Sequence, residues 1–325
     1  MRHYCTYFDQ RYLLQGLTLY RSLCAHAGDF TLHVLCLDDA THEVLRKLGL
    51  ANVRPVPLRE LEAGDDALLA VKPTRSRVEY YFTCSPSWPL YLLKRYPGMD
   101  LVTYLDSDLL FSASPEPVFA EMGDGSILIV GHRFPERLRD FEINGIYNVG
   151  LVSFRNDTNG RACLSWWRER CLEWCYDRRE NGRFADQKYL DDWPARFRGV
   201  VVLRHKGAGL APWNWMNYRI GMEAGGLTVD GEPLIFYHFQ GVKLITRRLC
   251  DPGTLPYGRM PRPLRRRLYG GYLAALAQTE RWLGEQLPEA DSIPQGIFAR
   301  DYGWKRCWAG LWRGQIMIVP GRPAP

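Results

Sequence analysis

The chain has no apolar run close to the roughly 18 residues that a membrane-spanning helix needs. That excludes an integral helical membrane protein. Its first residues, MRHYCTYFDQRY, lack the apolar stretch and small-residue cleavage site of an export signal. Nine cysteines are present, an odd number, with no Cys-x-x-Cys pair. That pattern speaks against a complete disulfide framework and against structural zinc of the usual spacing, and the thiols read as reduced, in a cytoplasmic protein. Cys171 and Cys175 stand four apart on an expected helix, with no matching His/Cys pair. Internal repeats and long low-complexity segments are missing as well. Acidic residues are the minority charge, 36 against 42 Lys and Arg, for a net charge of +6. An anionic ligand, an anionic membrane surface or nucleic acid would all suit that balance. With 46% apolar and 24% charged residues over 325 positions, the chain has ordinary globular composition and is not disordered.

What is present alternates between strand and helix. HYCTYF (3–8), FTLHVLCLD (30–38), DLVTYLD (100–106), ILIVGH (127–132), NVGLVSF (148–154) and VVVLR (200–204) read as strands. Helical spacing appears at Leu13, Leu17, Tyr20 and Cys24, and a further helix follows through Val44, Leu45 and Leu48. In 159–178, Leu164, Trp167, Cys171 and Trp174 share a face that reads as core. Strand, helix, strand with short connections predicts a parallel sheet with helices on its faces and a ligand at the strand ends. Residues 227–239 read as a hairpin turning at Asp230-Gly231. After about residue 250 the composition shifts. DPGTLPYGRMPRP reads as a linker, a helix is expected from Leu264 to Leu287, and YGWKRCWAGLWRG interleaves Trp with basic residues. The expected division is a catalytic domain over 1–250 and a basic, aromatic C-terminal extension over 251–325. Arg259, Arg262, Arg265, Arg266 and Arg267 fall within nine residues of that extension.

Two constellations point to chemistry. In LVTYLDSDLLF, Asp106 and Asp108 directly follow an apolar strand. Two carboxylates at a strand end repel each other, and a divalent cation removes that repulsion while holding phosphate oxygens. Asp-x-Asp alone is a weak signal, because acidic residues are common in solvated turns; its place after a buried strand gives it value. In LIFYHFQGVK, His238 ends another apolar strand and is followed by Gly241 and Lys243. A lone His beside aromatics is commonly a hydrogen-bonded core residue. Here it would complete the acidic pair as a metal ligand, with Gly241 giving phosphate close backbone access and Lys243 neutralising it. Mg²⁺ or Mn²⁺ suits such a donor set.

YLDSDLLF, NVGLVSF, FADQKYL and YHFQGVK, in that order, resemble motifs of the GT-A nucleotide-sugar glycosyltransferases, and most of all the family 8 type, which includes bacterial galactosyl- and glucosyltransferases of lipopolysaccharide assembly. The likeness spans roughly residues 3–245 as motifs and spacing. It implies an α/β, GT-A-like (Rossmann-like) fold: a mixed, mostly parallel central sheet flanked by helices, with a helical or irregular C-terminal extension. By the same likeness, Asp106, Asp108 and His238 bind Mn²⁺ or Mg²⁺ on the diphosphate of a UDP-sugar, and Gly241 and Lys243 contact the phosphates. Thr6, Asp9 and Tyr12 match positions that hold the nucleoside, Tyr12 by stacking on uracil. Arg77 matches a donor-contacting arginine. Asn148 and Gly150 match a motif lining the sugar pocket, and Asp186 and Gln187 match the Asp-Gln pair beside the sugar and its anomeric carbon. Packing and turn hydrogen bonds compete with these roles at Tyr12, Arg77 and Asn148, and a helix N-cap competes at Asp186. The chain departs from the family where Lys243 is followed by Leu244 and Ile245 rather than Pro-Trp, and APWNWMNYRIG (211–221) has no clean counterpart.

The activity so implied is metal-dependent transfer of a hexose from a UDP-sugar to a carbohydrate or lipid-linked acceptor, in bacterial surface polysaccharide or glycolipid assembly, with retention favoured over inversion. Two other readings compete. A nucleotidyltransferase would carry a Gly-rich basic loop after its first strand, where this chain has FDQRYLLQG. A nucleotide-sugar-binding module would bind the donor without turnover. Nucleic-acid binding would explain the Arg and Trp residues but leaves the acidic motif unexplained. Amphipathic, basic and Trp-rich, the C-terminal segment is expected either to dock on the inner face of an anionic membrane or to pack on the domain.

Overall fold

A computed structural model describes residues 1–246, 249–288, 302–312 and 314–318. Eight short segments up to residue 203 are strands: β1 (Arg2–Phe8), β2 (Phe30–Cys36), β3 (Val53–Pro57), β4 (Leu101–Leu105), β5 (Leu109–Phe111), β6 (Ile127–Gly131), β7 (Tyr147–Arg155) and β8 (Val200–Leu203). All but β5 join one seven-stranded sheet in the order β3-β2-β1-β4-β7-β6-β8. Every pairing is parallel except the two made by β7, which runs against β4 and β6. The expected mixed, mostly parallel sheet with helices on its faces is therefore present.

The sheet forms because its strands are apolar on both faces, as a covered parallel sheet requires. Along β1, Tyr4 and Phe8 enter one apolar core together with Leu13 and Leu17 of the helix Leu13–His26, while Cys5 enters the other. The second core is closed by the helices Arg77–Arg95 and Thr158–Glu173, with Trp88 and Trp167 fully buried. A capping box starts the first of these: Ser76 Oγ accepts from the Glu79 amide and the Glu79 carboxylate accepts from the Ser76 amide. At the C-terminal ends of β1 and β4 the neighbouring strand β7 begins, since it runs the other way. The three segments most charged with expectation, around Asp9, Asp106 and Asn148, thus meet at one sheet edge.

Several boundaries differ from the sequence reading for local reasons. β2 stops at Cys36 because Asp38 accepts from the Thr41 amide and caps the next helix. The helix expected over 159–178 ends at Glu173; Trp174 is extended, and its carbonyl accepts from the Tyr189 hydroxyl at 2.7 Å. Past β8 come β9 (Ala208–Leu210), β10 (Ile220–Glu223), β11 (Gly226–Val229), β12 (Glu232–Pro233) and β13 (Phe236–His238). The turn at Asp230-Gly231 is present, with both residues at positive φ and Val229 opposite Glu232. The hairpin is shorter than expected, because the chain then leaves it: β13 pairs with β5 and β9 instead. That exchange carries His238 to Leu109, one residue from Asp108.

Beyond residue 242, β14 (Lys243–Thr246), β15 (Leu249–Asp251) and β16 (Met317–Ile318) form a small antiparallel sheet. Within the stretch read as a linker, Thr254 and Met260 are buried. The helix Arg262–Gln286 lies along Leu13–His26: Thr18 and Thr279 share a hydrogen bond of 3.0 Å, and Tyr272 stacks on Phe239 with ring centroids 3.8 Å apart. A short helix, Trp304–Trp312, follows. Arg313 and the side chains of Lys305 and Arg306, part of the expected basic tail, lie outside the described residues. No described helix is long and apolar enough to cross a membrane. All nine cysteines carry free thiols.

Candidate active site

β4 delivers Asp106 to the sheet edge, and β5 turns back so that Asp108 faces the same way. The Asp106 amide donates to the Gly150 carbonyl of β7 at 2.9 Å, which fixes the turn. β13 brings His238 alongside. Its Nε2 stands 3.1 Å from Asp108 Oδ1 and 3.6 Å from Asp106 Oδ2. One ligand atom from each of the three lies within 4.8 Å of the others. Tyr104 donates to the remaining Asp106 oxygen, Oδ1, at 2.8 Å. Desolvation raises the Asp106 pKa, His238 opposes that, and Asp108 adds to it. Burial disfavours a charged His238, yet the two carboxylates outweigh it and its pKa moves up. The set therefore holds protons tightly where a cation would relieve the same repulsion. Two carboxylates and an imidazole in contact are a donor set that fits a hard divalent ion.

The cluster stands on the wall of a cleft of about 730 Å³. Asp9, Tyr12, Arg77, Asn148, Asp186 and Gln187 line the same cleft. Sequence distance hides this: Arg77 opens its helix on one side, and Asp186 precedes a 3-10 turn, Gln187–Asp192, on the other. Asp9 accepts from the Arg11 amide, burial raises its pKa, and Arg77 partly offsets that. Tyr12 is 45% exposed, so its ring is open to a ligand. Asp186 makes no side-chain cap bond. Burial pushes its pKa up to about 7, against a hydrogen bond from Ser85 and with the help of the Asp106 charge. Gln187 Nε2 donates to the Asn144 carbonyl at 3.0 Å.

Four predicted site residues are not on this cleft. Thr6 is fully buried in β1, and its hydroxyl has no hydrogen-bond partner among the described residues. Gly150 lies against the Asp106–Asp108–His238 cluster; a Cβ there would stand 2.4 Å from Asn148 Oδ1 and 2.8 Å from His238 Nδ1. Its place is to let β7 pass close to the imidazole. Gly241 and Lys243 line a second cavity, because β14 turns away to pair with β15.

No protein-family model matches the chain. YfnF, an uncharacterized protein of Bacillus subtilis strain 168, is 37% identical over 251 residues, which are 75% of this chain and 82% of that one. This chain belongs to the YfnF family. YfnD of the same organism, also uncharacterized, is 32% identical over 271 residues, 80% of this chain and 86% of its own. Among solved structures, the galactosyltransferase LgtC in complex with donor and acceptor sugar analogues is 19% identical, covering 74% of this chain and 87% of that one at a TM-score of 0.49. Mouse xyloside xylosyltransferase 1 is 14% identical, covering 74% and 98%, at 0.47.

In this member of the YfnF family, sequence reasoning missed the residues that brace the site. Trp213, from the stretch without a counterpart, packs edge-on against His238 with ring centroids 5.4 Å apart and donates to the His132 carbonyl at 2.9 Å. Asn214 beside it is fully buried; its Nδ2 donates to the His132 and Gly209 carbonyls and its Oδ1 accepts from the Ala211 amide. The AlaProTrpAsn turn is thus a wedge that holds the imidazole in place. Burial lowers the pKa of His132 to about 3, so it stays neutral beside Asn148, 3.4 Å away. Ser85 and Tyr7 share a bond of 3.0 Å. A polar chain thereby links Asp186, through Ser85, Tyr7 and Tyr104, to Asp106. The available signal was the run of small polar residues, Thr83, Ser85 and Ser87, on the buried face of the helix Arg77–Arg95.

Proposed function

We propose that the chain transfers a hexose from a UDP-sugar to a carbohydrate acceptor in a reaction that requires a divalent cation. The observation carrying this reading is the convergence of Asp106 and Asp108, from the turn between β4 and β5, with His238 of β13, beside Asp186 and Gln187 in one cleft. The order of the motifs resembles that of the family 8 transferases, which supports the donor class.

Asp9 and Tyr12 would hold the nucleoside, with the exposed ring of Tyr12 as the stacking surface, and Arg77 would meet the donor's negative charge. Asp106, Asp108 and His238 would hold Mn²⁺ or Mg²⁺, which supplies positive charge where the diphosphate leaves. Tyr104 orients Asp106 by occupying one of its oxygens. Asn148 and Gln187 would bind sugar hydroxyls, each offering donor and acceptor. In the transfer, the bond from the acceptor oxygen to the anomeric carbon forms as the bond from that carbon to the diphosphate oxygen breaks. The electron pair leaves with the diphosphate, and the hydroxyl proton ends on the leaving oxygen. Asp186 would face the oxocarbenium-like carbon, its ionised carboxylate opposing the positive charge that develops there. With the acceptor attacking on the face from which the diphosphate departs, configuration would be retained, the outcome favoured here.

A donor screen tests the reading. With Mn²⁺, UDP should be released from at least one UDP-hexose, and GDP-sugars should give no release. No nucleotide released from any sugar donor, with donor binding retained, would favour the binding module instead.

The exposure of Trp304, Trp308 and Trp312 supports a second element of the reading, docking of the tail on an anionic membrane surface. A cytoplasmic, membrane-peripheral enzyme would reach a lipid-linked acceptor in that way.

A further inference from the structure

A second cavity, of about 410 Å³, opens between the loop after β13, the segment that follows β15 and the C-terminal helix Trp304–Trp312. Its size falls in the range of small-ligand sites. It is continuous in its lining with the cleft described above, because Gln240 and Tyr257 belong to both. The two loops that meet here touch glycine to glycine: a Cβ on Gly253 would lie 2.6 Å from the Gly241 carbonyl carbon, and both residues have positive φ. No larger residue lets the loops approach this closely, so the juxtaposition of cavity and cleft is built into the chain.

We propose that this cavity is the acceptor subsite, and that its occupant is a neutral sugar residue. The inference rests on the transferase reading and adds the place and chemistry of the second substrate. Lys243 and Asp251 stand opposite each other in the β14–β15 pair and both line the cavity, so its charges of opposite sign balance. A second phosphate group would be repelled by the Asp251 carboxylate; a neutral polyol would not. The carboxylate is held in position, its Oδ1 accepting from the Gly253 amide at 2.9 Å and its Oδ2 from the Tyr302 hydroxyl at 2.8 Å. Gln240 and Gln315 add two amides, each able to donate and accept as sugar hydroxyls do. Tyr257 and Tyr302 supply rings with an apolar face and a polar edge, which suits the C–H face and hydroxyl rim of a pyranose. Tyr257, shared by both spaces, would lie between acceptor and donor. The Lys243 side chain then serves the acceptor rather than the donor phosphates.

The test is saturation-transfer NMR on the full chain with methyl α- and β-D-glucopyranoside and methyl α- and β-D-galactopyranoside, recorded with the donor cleft filled by UDP and Mn²⁺. At least one glycoside should receive saturation. Ala309→Trp, which fills the cavity from the exposed helix, should abolish that signal, and Gln315→Ala, which removes one amide, should weaken affinity about tenfold. Both variants should bind UDP as the parent chain does, which separates loss of the subsite from loss of the fold. No binding of any glycoside, or equal binding by both variants, would overturn the subsite. Failure of the parent chain to release nucleotide from any sugar donor would instead overturn the transferase reading on which it rests.

Discussion

On the wall of the cleft, different causes move neighbouring groups in the same direction. Asp106 and His238 both hold protons above their ordinary range, one through desolvation, the other because its two carboxylate partners outweigh desolvation. Asp186 is pushed up to about 7, again by burial first. Asp106, Asp108 and His238 stood out in the sequence because their types and spacing are unusual at the ends of apolar strands, whereas Asp186 stood out only through the family resemblance. Their partners did not. Ser85, Tyr7 and Tyr104 are ordinary residues of a helix and two strands, and only the packing of distant segments brings them together. Gln187 gives the clearest test at this scale. Its amide is held by the Asn144 carbonyl at the edge of the cleft, where the proposed transferase reading puts the sugar rather than the nucleotide. Gln187→Ala should lower kcat about ten- to a hundred-fold while the KM for the donor changes little. Steady-state UDP release checks it, and an unchanged kcat with a raised donor KM would assign Gln187 to donor binding.

The element that most controls the site is β7. Running antiparallel between β4 and β6, it presents its first residues at the C-terminal ends of its neighbours, where Asp106 emerges. NVGLVSF was legible as a buried strand, yet its direction was not, since an apolar run reads the same way whichever way it points. Nor was the departure of Phe236–His238 from the 227–239 hairpin, because its pairing to β5 depends on residues more than a hundred positions earlier. Gly150 shows what that packing demands. Adding one methyl group there would bring it 2.8 Å from His238 Nδ1, closer than carbon and nitrogen tolerate, so the imidazole must move. Gly150→Ala should therefore fold, lose about 1–3 kcal/mol of stability, and bind Mn²⁺ about tenfold or more weakly. Thermal unfolding and a Mn²⁺ titration monitored by electron paramagnetic resonance check both parts. Unaltered Mn²⁺ affinity would remove the spacer role from this glycine.

Across the whole molecule, the C-terminal region divides into a packed helix and an exposed one. The helix Arg262–Gln286 is packed: Leu283 joins the core of Leu13 and Leu17, and Tyr272 stacks on Phe239. The last helix is different, with Trp304, Trp308 and Trp312 at 70%, 63% and 91% exposure on a four-residue repeat that places them along one face. Arg265 Nη1 donates to the Gly314 carbonyl at 2.6 Å, which brings the arginine-rich start of the longer helix to the end of the tail helix. Exposed Trp beside Arg is the pattern of an interfacial anchor, each basic residue adding about 1 kcal/mol near anionic headgroups. The chain should sediment with anionic vesicles, release in high salt and ignore neutral ones; Trp304→Ala/Trp308→Ala/Trp312→Ala should bind less while keeping its unfolding midpoint. Equal sedimentation of the triple variant would count against docking through this face.

Asp106, Asp108 and His238 are proposed to join a divalent cation to a nucleotide diphosphate. Calorimetric titration of UDP into the full chain tests it most directly, run with Mn²⁺, with EDTA, and with Asp108→Asn in Mn²⁺. UDP should bind with Mn²⁺ and lose about a hundredfold or more in affinity both in EDTA and in the variant, whose thermal unfolding stays that of the parent. UDP binding of equal strength in EDTA, or to Asp108→Asn, would contradict it.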